Sequence, residues 1–110
     1  MSAKTIQWAG KSGKTYLYYI YEIGHGLKAE AGNYLFAKET NPGYWKPVYI
    51  GQTGDLDQRL ENHEKEDCAL ENGATHIHAH LNHAGEAARK AEEKDLILQW
   101  QPICNDQLVS

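Results

Sequence analysis

The stretch Thr75-His-Ile-His-Ala-His-Leu81 alternates without a break. Thr75, Ile77, Ala79 and Leu81 fall on one side, and His76, His78 and His80 on the other. Side chains that repeat every second residue share one face of an extended strand. The pattern predicts a half-buried β-strand, its apolar face turned to a core and its histidines turned to solvent.

Other segments read in the same way. Tyr16-Leu-Tyr-Tyr-Ile-Tyr-Glu-Ile23 is aromatic and β-branched, a strand composition. Tyr34-Leu-Phe-Ala37 predicts a second strand, closed by the turn-rich Thr40-Asn-Pro-Gly43. Pro47-Val-Tyr-Ile50 predicts a third, bounded by Gly51. Residues 9–15 read as a polar loop. Asp55-Leu-Asp-Gln58 then resembles a helix N-cap with its reciprocal partner, and Glu71-Asn-Gly73 a helix stop. Asn82 can cap a last helix to about Trp100, with Ala84, Ala87, Ala88, Ala91 and Leu98 along its buried stripe and Pro102 ending it. The order predicts an α+β domain, a small antiparallel or mixed sheet of about three to four strands flanked by helices.

A chain of 110 residues holds one domain. No apolar run approaches the roughly 18 residues of a membrane span. The start lacks a leader's apolar core, so a cytoplasmic home is expected. Cys68 and Cys104 stand 36 apart without a CxxC partner and read as two ordinary thiols. Net charge is −4, yet residues 1–54 hold six Lys and three Glu, a sum of +3. Residues 55–110 sum to −7, from five basic and twelve acidic side chains. Affinity for plain duplex DNA should therefore be weak, about 10⁻⁵ M or worse in physiological salt. Lys11, Lys14, Lys28 and Lys38, with Arg59, are expected to supply what attraction to phosphate there is.

Three motifs fail. Gly13-Lys14-Thr15 ends like a phosphate-binding loop, but Trp8 stands where that loop needs Gly, and a strand follows instead of a helix. His63-Glu64 lacks a second His at position 67, which is Asp67. His76, His78 and His80 lie about 7 Å apart on one strand face, but no further ligand in a familiar spacing closes a zinc site.

One constellation holds. Gly32-Asn-Tyr34 lies on one strand and Tyr49-Ile-Gly51 on the next. Arg59 and His63 follow four residues apart, the spacing that shares a helix face. Glu93 opens Glu-Lys-Asp-Leu-Ile, and Pro102 and Asn105 end the set. This pattern resembles the GIY-YIG nuclease family over about residues 31–106, with residues 1–30 as an N-terminal extension. One position departs: Asn33 stands where the family has Ile, on the strand face away from Tyr34.

The resemblance implies a metal-dependent endonuclease acting on nucleic acid, with DNA the expected form. Tyr34 would serve as general base or positioner for the attacking water, with Tyr49 in support and His63 as proton acceptor. Arg59 would stabilise transition-state charge. Glu93 would hold a single Mg²⁺ or Mn²⁺, and Asn105 would orient Glu93 or close the site. The acidic run Glu61–Glu71, apart from His63, should turn away from substrate. A nuclease this small that cuts both strands would be expected to dimerise or recruit a partner protein. Two rival readings stand beside it. One is the same fold used as an inactive or weakly active module for binding nucleic acid or protein; the other is a histidine-strand zinc protein.

Overall fold

The computed structural model describes residues 4–61 and 63–105. Met1–Ala3, the start of the leader reading, and Asp106, the end of the predicted core, lie outside them. Among the described residues, five strands form one antiparallel sheet. They are β1 (Thr5–Ala9), β2 (Thr15–Glu22), β3 (Gly32–Asn41), β4 (Tyr44–Thr53) and β5 (His76–Leu81), in the order β1-β2-β5-β3-β4. Three helices accompany them: α1 (Leu56–Glu61), α2 (Glu66–Glu71) and α3 (Glu86–Trp100). The expected α+β class holds, with five strands instead of three to four. The unpredicted strand is β1, a short edge strand next to the loop at 9–15.

The pleat divides the sheet into two faces. Tyr34 and Phe36 of β3 join Val48, Leu56, Ala69, Ile77, Ala79 and Cys104 in one core cluster. Leu35 and Ala37, pointing the other way, join Trp8, Tyr18, Ile50 and Leu96 beneath α3. β5 lies between β2 and β3, and both of its faces are covered: Ile77 and Ala79 pack in the Tyr34 cluster, while His78 and His80 lie against Trp8 and Glu92. This corrects the half-buried reading: His78 has no exposed surface, and the histidines face the α3 layer. His78 Nδ1 accepts from Trp8 Nε1 at 3.0 Å.

The helices also differ from expectation. Asp55 does cap the first, its Oδ1 accepting from the Gln58 amide at 3.0 Å. That helix ends at Glu61, however, and a second begins at Glu66, so His63 lies in the break between them. α3 starts after Gly85, and Asn82 bonds the Ala84 amide without capping it. Its predicted alanine stripe is misplaced: Ala84, Ala87 and Ala91 are exposed, whereas Glu92 and Leu96 are buried. Polar side chains occupy that buried face because the sheet beneath supplies their partners. The helix ends at Trp100, before Pro102, as expected.

Of residues 1–30, whose role the sequence left open, the described residues 4–30 widen the sheet and fasten it to α3. Asp95 accepts from the Ser12 amide and hydroxyl and from Tyr16 Oη. Trp100 Nε1 donates to the Ala9 carbonyl. Cys68 and Cys104 form a disulfide, against the two-thiol reading; their spacing hid that α2 packs on the segment following α3. Persistent disulfides belong to oxidising compartments, so the bond lends the cytoplasmic expectation no support. Among the described residues no helix is long and apolar enough to cross a membrane.

Burial pushes the His78 imidazole down to about 3, with His76 adding to the effect. The unfolded chain, near the ordinary 6.5, therefore binds more protons than the folded one between those values. Stability present above pH 6.5 is lost as the pH falls toward 3. Urea unfolding at pH 7 and pH 4.5 should show a lower midpoint at pH 4.5. His78→Gln, which keeps an acceptor for Trp8 and cannot titrate, should flatten that decline.

Candidate active site

Tyr34 and Tyr49 project from β3 and β4 onto one sheet face. Tyr34 pairs with Gly51 across the strands, and Phe36 with Tyr49. The Tyr34 ring lies over Gly51, where a Cβ would come 2.5 Å from Tyr34 Oη and 3.0 Å from Tyr49 Cε2. At Gly32 a Cβ would strike the His80 carbonyl oxygen and the Leu56 side chain. Both glycines of the paired motifs are thus required by close approach.

His63 completes an aromatic cluster. Its ring lies edge-on to Tyr34, Phe36 and Tyr49, with centroids 5.5, 5.2 and 5.0 Å away. Its Nε2 lies 2.6 Å from Tyr34 Oη, and its Nδ1 accepts from the Lys65 amide at 2.9 Å. Burial, then the Arg59 charge, push the imidazole down to about 4. It is neutral at pH 7, with one donor and one acceptor nitrogen. Since Nδ1 accepts, Nε2 carries the proton and donates it to Tyr34. This reverses the expected role of His63: in this arrangement it gives a hydrogen bond to Tyr34 and cannot take Tyr34's proton. Nor does it share a helix face with Arg59, because α1 has already ended.

Burial raises the Tyr34 phenol well above its ordinary value; Tyr49 adds to the rise and the Arg59 charge opposes it. Arg59, on α1, also ion-pairs with exposed Glu64 at 3.4 Å. The expectation that the whole acidic run turns away therefore fails at Glu64. Glu93, on α3, is half-buried. Burial lifts its carboxyl, against the pull of Lys90 and Arg59. Asn105 acts elsewhere than expected. Its Oδ1 accepts from the Ile50 amide and its Nδ2 donates to the Ile50 carbonyl, each at 2.9 Å, so it holds edge strand β4 instead of Glu93.

Sequence reasoning missed a buried network on the other sheet face. Glu92 Oε2 accepts from Tyr18 Oη at 2.6 Å and meets His80 Nε2 at 2.6 Å. Asn33 donates to the Arg89 carbonyl and accepts from Asn82, which explains why a polar residue is tolerated at the departing motif position. Glu92 stands four residues before Leu96, the spacing of a shared helix face, and that was the available signal.

Among the described residues no three His, Cys, Asp or Glu side chains cluster as a metal site. On the histidine strand, His78 Nδ1 is engaged by Trp8 and His80 Nε2 by Glu92, while His78 Nε2 is buried without a hydrogen-bond partner. A lone carboxylate still suits Mg²⁺, which commonly binds through one or two carboxylates, waters and substrate phosphates. Glu93, half-buried beside cationic side chains, fits that description. Compared with protein-family models, curated proteins and solved structures, the chain matches none.

Two substitutions separate structure from chemistry. Glu92→Ala strands Tyr18 and His80 and should cost about 2–3 kcal/mol in chemical denaturation. Gly51→Ala should displace the Tyr34 ring and cost about 1–3 kcal/mol, the range for overpacking a core. Chemical-shift changes at His63 would report that displacement.

Proposed function

We propose that this chain is a GIY-YIG-type nuclease, a hydrolase cutting a nucleic-acid phosphodiester, DNA the expected form, with one divalent cation. One observation carries the reading. Tyr34, Tyr49, Arg59 and His63, from two strands and two later segments, converge on a single phenol oxygen.

Hydrolysis needs a water aligned on phosphorus, an acceptor for its proton, and positive charge where the phosphorane gains electrons. Tyr34 fits the first two needs. Its oxygen receives the His63 Nε2 hydrogen bond and lies against the Arg59 charge. Both favour the phenolate, which would take the water's proton. Arg59 suits the third need. Glu93 would hold the Mg²⁺ or Mn²⁺, which adds charge at the scissile phosphate. Asn105 acts by keeping β4, and with it Tyr49 and Gly51, in register.

The second reading is a binding module on the same fold. It is favoured by the engagement of Arg59 with Glu64 and by the complete burial of Tyr34. Incubation with plasmid, single-stranded and branched DNA, with Mg²⁺, with Mn²⁺ and with EDTA, separates the two.

Tyr34→Phe, Arg59→Ala and Glu93→Gln should each lower metal-dependent cleavage by roughly 10²-fold or more, with folding intact. Because a phenol with a raised pKa must lose its proton, the rate should climb between pH 7 and pH 9. A flat profile would remove Tyr34 as the base. Unchanged turnover of Glu93→Gln would remove Glu93 as the cation's ligand.

A further inference from the structure

The face that carries Tyr34 continues past it. One cross-strand row runs Gly51, Tyr34, Ala79, Tyr19, through β4, β3, β5 and β2. Tyr19 is thus two strands from Tyr34, about 10 Å at ordinary strand spacing. Leu17 and Tyr21 flank Tyr19 on the same side of β2.

Beyond α1, these side chains floor a groove of about 710 Å³, bordered by Leu81, His25 and Lys28. Of the seven large apolar side chains exposed among the described residues, three line it: Leu17, Tyr19 and Leu81. Such clustering on a small monomer marks a binding surface. Tyr21 and His25 stack at one end, with centroids 5.1 Å apart and planes 17° from parallel.

The chemistry of the lining narrows the occupant. Among the described residues, Lys28 is the only Lys, Arg, Asp or Glu along it. The adjoining smaller cavity shares His25, Gly26, Leu27 and Leu56 with the groove and carries Asp57, Glu61 and Glu66, which disfavour a phosphate there and leave the Lys28 side for it. The exposed Tyr19 ring, one ammonium and no carboxylate in the groove lining match unpaired nucleotides, whose bases stack on aromatic rings while a phosphate meets a cation. A second copy of the chain fits less well. A two-fold interface needs a self-complementary surface, and two concave grooves would enclose a void.

We infer that the groove between β2 and the Gly24–Lys28 loop binds unpaired nucleotides of the substrate strand, Tyr19 stacking a base and Lys28 meeting a phosphate. The inference rests on the nuclease reading for its substrate and makes that substrate a nucleic acid with a single-stranded segment. Paired bases keep their faces stacked on one another and cannot use Tyr19.

The test measures binding apart from cleavage. Fluorescence anisotropy would follow a labelled 12-residue deoxythymidine oligonucleotide and a duplex of equal length, in EDTA, with both recovered intact. The single strand should bind at least tenfold more tightly than the duplex. Tyr19→Ala should weaken single-strand binding about tenfold, the loss of one base stack, whereas Tyr19→Phe keeps it. Lys28→Ala should weaken it and reduce the salt slope by about 0.7. Tyr19 is 40% exposed, so circular dichroism of Tyr19→Ala should match the parent.

Equal binding of both oligonucleotides, or Tyr19→Ala without effect, overturns the inference. So does a dimer in sedimentation that Tyr19→Ala dissociates, which would give the groove to a second copy. Nuclease failure reads differently: no cleavage under any metal condition, with Tyr19-dependent binding retained, removes the activity and leaves the groove. Cleavage retained with Tyr19→Ala binding and KM unchanged removes the groove alone.

Discussion

The hydrogen bond between His63 and Tyr34 is the point on which the site depends. It forms only because three separate conditions are met. Gly51 leaves room for the phenol ring, and the chain breaks its helix between Glu61 and Glu66 so that His63 can turn inward. The Lys65 amide occupies Nδ1 and so decides which nitrogen faces the phenol.

The two faces of the sheet do different work. One buries the phenol–imidazole pair among aromatic rings and continues as an open aromatic floor under β2 and β5. The other, beneath α3, buries Glu92 and Asn33 and links them to the half-buried His80 and Asn82 by hydrogen bonds. Adjacent residues on one helix are divided between these tasks. Glu92 is committed to the network, while Glu93 stays at the rim near Arg59. Burying a polar group is costly unless it is partnered, and this network supplies those partners beneath a helix with few buried apolar positions.

The sequence made the strands legible through period two in β5, through aromatic and β-branched composition in β2, and where turn residues bounded the run, as at Gly43. It also grouped Tyr34, Tyr49, Arg59 and His63 through the family resemblance, whose motif spans one hairpin and the segment after it. What it hid was long-range. Alternation in β5 cannot reveal whether one face or two are covered; that depends on what packs above and below the sheet. The alanines of α3 suggested an apolar stripe, but the partners of Glu92 lie on β2 and β5, far away in sequence. The disulfide and the grip of Asn105 on Ile50 were hidden for the same reason, since both join the segment after α3 to elements made much earlier.

The fastening of the first hairpin to the last helix has a consequence for how the chain is built. Ala9 and Trp100 share a hydrogen bond across 91 positions, and Ser12 and Asp95 across 83. β1 and β2 therefore leave the ribosome with their aromatic side chains uncovered and wait for nearly the whole remaining sequence before α3 arrives. β2 finds its sheet neighbour β5 only after about fifty more residues have been made. During that interval the nascent chain exposes a two-stranded aromatic ribbon with an unpaired edge, a form that invites strand addition by another chain. Translation speed across residues 23–75, and the holding chaperones present meanwhile, thus bear on the yield of folded protein more than the small size of the domain would suggest.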